Sequence, residues 1–236
     1  MQNSSLNKDP KNIQSMFASI ADSYDKANKV MTFGLDKKWR KQVVKYSKAQ
    51  KQDKILDCAT GTGDLAFCFE NTIGANTTGI DFCQEMINIA KQKAVKQNSN
   101  TEFKTADMTQ LPFKDNQFNV CSVAYGIRNT NNIKLALKEM ARVTKPDGYL
   151  VILETGVSST FIIKQSLSFY TKHIMPLLGG FISGKKTAYQ YLNQSSQNFP
   201  GGKNFVKLLK DTGHFKNIEF KSLCLGASFL YRAQIK

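Results

Sequence analysis

Between Asp57 and Asp64 the chain reads Asp-Cys-Ala-Thr-Gly-Thr-Gly-Asp, with an apolar β-rich stretch before it and a helical run from Leu65 after it. Gly61 and Gly63 in such a strand-to-helix turn, with Thr62 between them, admit tight backbone angles and let N–H groups come close to a ligand. Asp81 ends the next β-rich run, eighteen positions beyond Gly63. A carboxylate there can accept hydrogen bonds from both hydroxyls of a ribose. NAD and S-adenosylmethionine share that geometry, and charge separates them. A pyrophosphate needs the bare positive end of the helix, which Asp64 occupies. A sulfonium and an ammonium group are instead attracted by Asp57 and Asp64. Asp107, followed by Met108 after the third β-rich run, is placed to accept a hydrogen bond from an adenine amino group. Each acid alone has an ordinary alternative as a helix cap, a turn residue or a strand-end acceptor. Their joint occurrence at successive strand ends points to S-adenosylmethionine.

Those positions have to be held by strands, read near 54–58, 76–81, 102–106, 118–124 and 148–154, alternating with helices. Such alternation gives a parallel sheet with helices on its faces. Glu85, Ile89 and Lys93 step at helical spacing, as do Leu135, Met140 and Val143 ahead of a stop at Lys145-Pro146-Asp147-Gly148. Two last β-rich runs, about 216–222 and 226–234, are joined too closely for a crossover helix, so the final strand must run antiparallel to its neighbour. Residues 1–53 read as a basic helical extension, with Trp39, Val43 and Tyr46 as its apolar stripe, packed on a single domain of residues 54–236. Residues 183–203, rich in Gly, Ser, Asn and Gln, read as a long surface loop.

The 236 residues carry 33 Lys+Arg against 18 Asp+Glu, a formal charge of +15 that favours anionic partners, whether nucleic acid or acidic lipid. At 41% hydrophobic and 22% charged, disordered and collagen-like classes are excluded. The most apolar stretch, Phe161 to Ile182, contains Lys164, Lys172, His173 and Pro176, so no membrane span is expected. The N-terminus lacks the apolar core of a signal peptide, and a cytoplasmic protein is expected. Five cysteines without a CxxC pair suggest neither a zinc site nor a disulfide framework.

The sequence resembles the class I S-adenosylmethionine-dependent methyltransferases, and more closely the C-methyltransferases of menaquinone and ubiquinone biosynthesis. The resemblance covers nearly the whole chain. It rests on Phe17 to Ala21 with Tyr24-Asp25 and Asn28, on Thr32 to Asp36 with Trp39-Arg40, and on the glycine turn. Tyr125-Gly126-Ile127-Arg128-Asn129 and Tyr189-Gln190-Tyr191-Leu192 with Ser195 carry its more specific part. The fold implied is a Rossmann-like α/β sandwich, a mostly parallel seven-stranded sheet with an antiparallel last strand. The resemblance implies that Thr62, Asp81, Asp107 and Met108 hold the cofactor and that Tyr24 caps it.

Methylation of a quinol ring carbon is an in-line displacement, and the carbon becomes nucleophilic only as a neighbouring phenol loses its proton. Arg128, at the C-terminal end of the fourth strand, is the candidate for stabilising the phenolate, or for orienting a water that takes the proton. Asn129 would position that water or a ring oxygen. The plain alternative for Arg128 is a surface ion pair. A nucleic-acid methyltransferase would suit the charge, but the five prolines are isolated and no Pro-Cys pair occurs, so no nucleic acid is expected. A non-catalytic cofactor-binding module is the remaining alternative. A prenylated quinol resides in the bilayer, so weak contact with an anionic membrane is expected. The basic run Lys37 to Lys51 would provide it, and the segment Thr160 to Ile182 would open as a lid hinged at Gly179-Gly180.

Overall fold

The computed structural model describes residues 8–156, 165 and 168–236. Three helices come first, α1 (Pro10–Ile20), α2 (Tyr24–Met31) and α3 (Leu35–Tyr46). The core follows as β1 (Lys54–Cys58), α4 (Asp64–Ile73), β2 (Asn76–Asp81), α5 (Gln84–Gln97), β3 (Glu102–Thr105), β4 (Phe118–Ala124), α6 (Ile133–Val143) and β5 (Thr144–Thr155). The described chain is completed by α7 (Met175–Ser183), α8 (Lys186–Gln197), α9 (Lys203–Asp211), β6 (Phe215–Leu223) and β7 (Ser228–Ile235).

The seven strands form one sheet in the order β3-β2-β1-β4-β5-β7-β6. β1 to β5 pair in parallel, and β7 runs antiparallel to both β5 and β6. Central strands buried on both faces carry continuous apolar runs. Leu56, Cys58, Ile80 and Val123 pack on one face with Leu137 and Met140 of α6, while Ile55, Val120 and Val151 pack on the other with Val43 and Val44 of α3 and Phe69 of α4. Trp39 and Tyr46 join that second face, so the apolar stripe of α3 does cover the sheet. Strand order reverses between β1 and β4, and a crevice for a ligand opens at the carboxyl ends of strands at such a point.

Two expectations are corrected. Residues 186–197 are the helix α8, in which Ala188, Tyr189, Asn193 and Ser195 are buried. Polar composition concealed it because those inward residues follow helical spacing while Gln190, Gln194 and Gln197 face outward. Gly179-Gly180 is no hinge but lies inside α7, where a Cβ on Gly179 would stand 2.4 Å from Cγ of Tyr189. The glycine is there so that two helices can touch. Of the expected lid, Thr160, Phe161, Ile162 and Leu167 lie outside the described residues, whereas Tyr170–Ile174 form a π-helical turn leading into α7.

Candidate cofactor and substrate cleft

At the end of β1 the chain turns through Ala59 at φ 49° and Gly61 at φ 56°, and at the end of β4 through Tyr125 at φ 56°. The two turns lie so close that a Cβ on Gly126 would come within 2.4 Å of that of Ala59. A left-handed conformation at a bulky Tyr125 is costly, about 1–2 kcal/mol, and surrounding contacts must hold it. They include its hydroxyl, 2.9 Å from Oγ of Ser228. Above the turns lies an open cleft with about 770 Å³ of empty space, bordered by Gly61, Asp81, Asp107, Met108, Gly126 and Asn129, with Tyr24 and Phe17 of the N-terminal helices on the other side.

Asp81 is buried and both its oxygens accept backbone N–H groups, from Gly61 and Cys83 at 2.9 Å each. Burial raises its pKa to about 6 against the pull of those amides. Asp57 is buried more deeply in hydroxyls, accepting from Thr60 at 2.6 Å and Ser122 at 2.7 Å, and burial raises it to about 7. Ser122 is its register partner on β4, so the Asp57 carboxylate joins the two strands beneath the glycine turn. Asp107 is exposed at the cleft, and its Oδ1 accepts the Thr109 N–H at 2.7 Å, which sets the turn that brings Met108 to the lining.

Asp64 follows Gly63, whose left-handed backbone (φ 89°) opens α4. It is not a bare carboxylate: Lys93 of α5 holds one oxygen and Arg40 of α3 the other, at 3.0 Å. Lys93 also reaches Asp25 at 2.9 Å, and Asp25 accepts the Thr62 hydroxyl at 2.5 Å. Asp25, Lys93 and Arg40 were absent from the sequence-derived site. The Tyr24-Asp25 and Trp39-Arg40 pairs marked the first and last, and Lys93 carried no signal beyond its helical spacing. A smaller hollow of about 520 Å³ is lined by Thr62, Asp64, Asp25 and Arg40 together with Asp57 and Tyr24. It offers both signs of charge, as a zwitterionic amino-acid group requires. Burial pushes the Tyr24 hydroxyl up, and its ring stands edge-on to Phe17 at 6.3 Å.

Arg128 lies in the turn after β4 and is 7% exposed. Its Nη1 donates to Oε1 of the fully buried Glu154 at 2.6 Å and to the Tyr125 carbonyl at 2.7 Å, while Nε reaches Ser195 Oγ at 3.3 Å. The ion pair is therefore buried rather than superficial, and Nη2 is the part of the guanidinium with no partner among the described residues. Glu154 closes the apolar run of β5, and an acid at the end of such a strand was the signal that could have found it. Asn129 Nδ2 donates to the Tyr125 carbonyl at 3.4 Å, which turns Oδ1 the other way, and that buried oxygen has no partner among the described residues. The Tyr191 hydroxyl is in the same state, and burial raises its pKa to about 12. Lys8 also borders the cleft, where burial and the Arg128 charge lower its pKa. Of the expected residues, Asp81, Gly61, Asp107, Met108 and Asn129 lie along the cleft and Thr62 and Asp64 in the charged hollow, while Arg128, in neither lining, is tied to Glu154.

Similar architectures are known. A solved S-adenosylmethionine-dependent methyltransferase of Thermotoga maritima, described as a possible histamine N-methyltransferase, superposes with a TM-score of 0.68 at 16% identity, covering 95% of this chain and all of that one. Phosphoethanolamine N-methyltransferase 2 of Haemonchus contortus, solved with S-adenosyl-L-methionine, gives 0.62 at 13% identity over 84% of this chain and 52% of that one. In sequence, the chain is 44% identical to the ubiquinone/menaquinone biosynthesis C-methyltransferase UbiE of Bdellovibrio bacteriovorus over the full length of both. It is 34% identical to the demethylmenaquinone methyltransferase of Staphylococcus aureus, over 93% of this chain and 91% of that one. Residues 4–234 match the profile of the ubiE/COQ5 methyltransferase family as a whole, and the chain belongs to that family.

Proposed function

We propose that the chain is an S-adenosylmethionine-dependent C-methyltransferase that methylates the ring of a prenylated quinol, demethylmenaquinol first, with 2-methoxy-6-polyprenyl-benzoquinol as a second acceptor of the same class. The observation that carries this reading is Asn129 Oδ1, a buried acceptor at the cleft with no partner among the described residues, in the same crevice as the Asp81–Gly61 contact and next in sequence to Arg128. The residues fit the cofactor. Asp81 would hold the ribose, Asp107 and Met108 the adenine, and Thr62, Asp64 and Arg40 the amino-acid end, with Tyr24 and Phe17 keeping water out. When bound, the cofactor supplies a methyl group activated on a sulfonium.

The protein's own part is to make the acceptor nucleophilic. Asn129 Oδ1 is fixed as a hydrogen-bond acceptor and would receive a ring hydroxyl. The Arg128 guanidinium, paired with Glu154, would stabilise the phenolate that develops as the ring-hydroxyl proton passes to a water; because that charge exists only as the proton leaves, the interaction would strengthen in the transition state. Lys8 adds a second cation at the cleft. Because the tail of such an acceptor lies in lipid, the chain works at a membrane surface, and no described helix is long and apolar enough to cross one.

Assaying methyl transfer separately to the two quinols tests the reading. Transfer to one or both is expected; S-adenosylmethionine binding without transfer to either would replace it with a non-catalytic module, and transfer to RNA with a nucleic-acid enzyme.

Cofactor binding should release protons. Near pH 6 the folded protein holds protons on Asp81 and Asp57, with pKa values of about 6 and 7, that the unfolded chain has already lost. Their contribution to stability is complete below pH 4 and declines as pH rises through 6 to 7. A cation and ribose hydroxyls favour the ionised acids, so affinity should rise with pH across that window and level off above it. Calorimetry at pH 6 in buffers of different ionisation enthalpy reads the released protons, and proton uptake would contradict the assignment.

A further inference from the structure

The N-terminal helices and α7 leave an apolar crest on the surface. Phe33 is 78% exposed and Phe181 92%, and with Val30, Phe169, Ile174 and Leu177 they are the exposed large apolar side chains of α2, its following turn, the π-helical turn and α7. Ile174, Leu177 and Phe181 follow at helical spacing and share one side. The ring of Phe33 stands 6.1 Å from that of Tyr170, whose hydroxyl donates to the Met31 carbonyl at 2.8 Å, so the two stretches of chain form one surface. Its inner layer is Met31, Tyr189, Met175 and Ile182 against Phe17 and Tyr24. Phe17 and Tyr24 line the cleft, so the crest is the outer face of the layer that closes it.

The backbone at Phe33 is as informative as its exposure. Gly34 N–H bonds the Lys29 carbonyl at 2.9 Å and Phe33 N–H that of Val30 at 3.1 Å, the paired bonds that end a helix through one left-handed residue. Phe33 is that residue, at φ 51°, where glycine is favoured and a bulky aromatic is strained. The fold spends stability to hold an aromatic ring in water.

Cations surround the crest. Lys26 and Lys29 of α2, Lys172 in the π-helical turn, and Lys185 and Lys186 at the junction of α7 and α8 are all exposed. The carboxylates of Asp25 and Asp36 are taken by Lys93 and Arg40, leaving Asp22, in the turn before α2, as the exposed acid among the described residues of these elements. Two copies meeting through this face would bring lysine against lysine.

We propose that the crest, Phe33 with Leu177 and Phe181, seats the protein on an anionic bilayer, with the apolar tips in the headgroup boundary and the lysines on lipid phosphates. The choice of lipid as occupant rests on the prenylated-quinol reading above. This places the contact on α2 and α7 rather than on the Lys37 to Lys51 run alone.

The test is partition of the full chain onto vesicles of phosphatidylglycerol and phosphatidylcholine in equal parts, and onto phosphatidylcholine alone, at low and high salt. Wild type should bind the anionic vesicles and release them in high salt. Phe33→Gly with Phe181→Ser should weaken that binding at least tenfold, and Lys26→Glu with Lys29→Glu should do the same. Phe33→Gly alone should melt no lower than wild type, because it relieves the left-handed strain, and should by itself weaken binding to the anionic vesicles, so lost binding cannot be lost folding. Unchanged partition of the aromatic pair variant, equal binding to neutral vesicles, or a wild-type dimer that Phe181→Ser dissociates would each overturn the proposal. Methyl transfer to a short-tailed, water-soluble demethylmenaquinol should be the same in wild type and crest variants. Its absence in the wild type would remove the quinol reading and leave the vesicle result to be judged alone.

Discussion

Glu154→Ala is expected to destabilise the fold by about 3–5 kcal/mol, the cost of stripping the counter-charge from a buried cation. The carboxylate is fully buried and accepts from Arg128 Nη1 at 2.6 Å and the Thr155 N–H at 2.7 Å. Without it the Arg128 guanidinium retains the Tyr125 carbonyl and Ser195 Oγ, neither of which carries charge. Against a typical domain stability of about 5–15 kcal/mol the loss is large. Urea unfolding measures it, and Glu154→Gln separates lost charge from lost volume. A loss below about 1 kcal/mol would mean that water reaches Arg128 and that the pair is solvated. Arg128→Ala should show the mirror effect on stability. In its folded fraction kcat should fall more than cofactor affinity, since the role proposed for it is exerted only as phenolate charge develops. Equal losses of cofactor binding and rate would place Arg128 on the cofactor side of the cleft.

Asp81→Ala should weaken S-adenosylmethionine binding about tenfold to a hundredfold, because ribose hydroxyls left without acceptors cost roughly 1–3 kcal/mol. The carboxylate also holds the Gly61 N–H at 2.9 Å and so shapes the turn itself. Asp81→Asn keeps an acceptor and the side-chain length, and it should recover part of the loss. Titration calorimetry on both variants is the check. Affinity unchanged in Asp81→Ala would remove the ribose assignment, and a fall in Asp81→Asn as large as in Asp81→Ala would show that the charge, not the acceptor, is what the cofactor meets.

Local pattern determined much of this protein. Apolar runs marked the central strands β1, β4 and β5, because a strand buried on both faces has no polar side to disguise it, and the short link before the last strand dictated its antiparallel course. The same pattern located Asp57, Asp81 and Asp107, since a cofactor crevice forms where successive strands end. Residues 186–197 show where pattern stopped. A helix of Gln, Asn, Ser and Tyr has no apolar stripe to announce it, and Gly179 and Tyr189 make it a packed element only by meeting across two helices. Electrostatic partners were hidden for a related reason. Whether Arg128 faces solvent or Glu154, and whether Asp64 is bare or held by Lys93 and Arg40, depends on residues far apart in sequence whose distances exist only once α3, α5 and β5 are docked. Residue type and spacing decide which chemistry is possible at a strand end; tertiary packing decides which charges remain free to perform it, because a charge is spent on whatever counter-charge folding brings within hydrogen-bond reach.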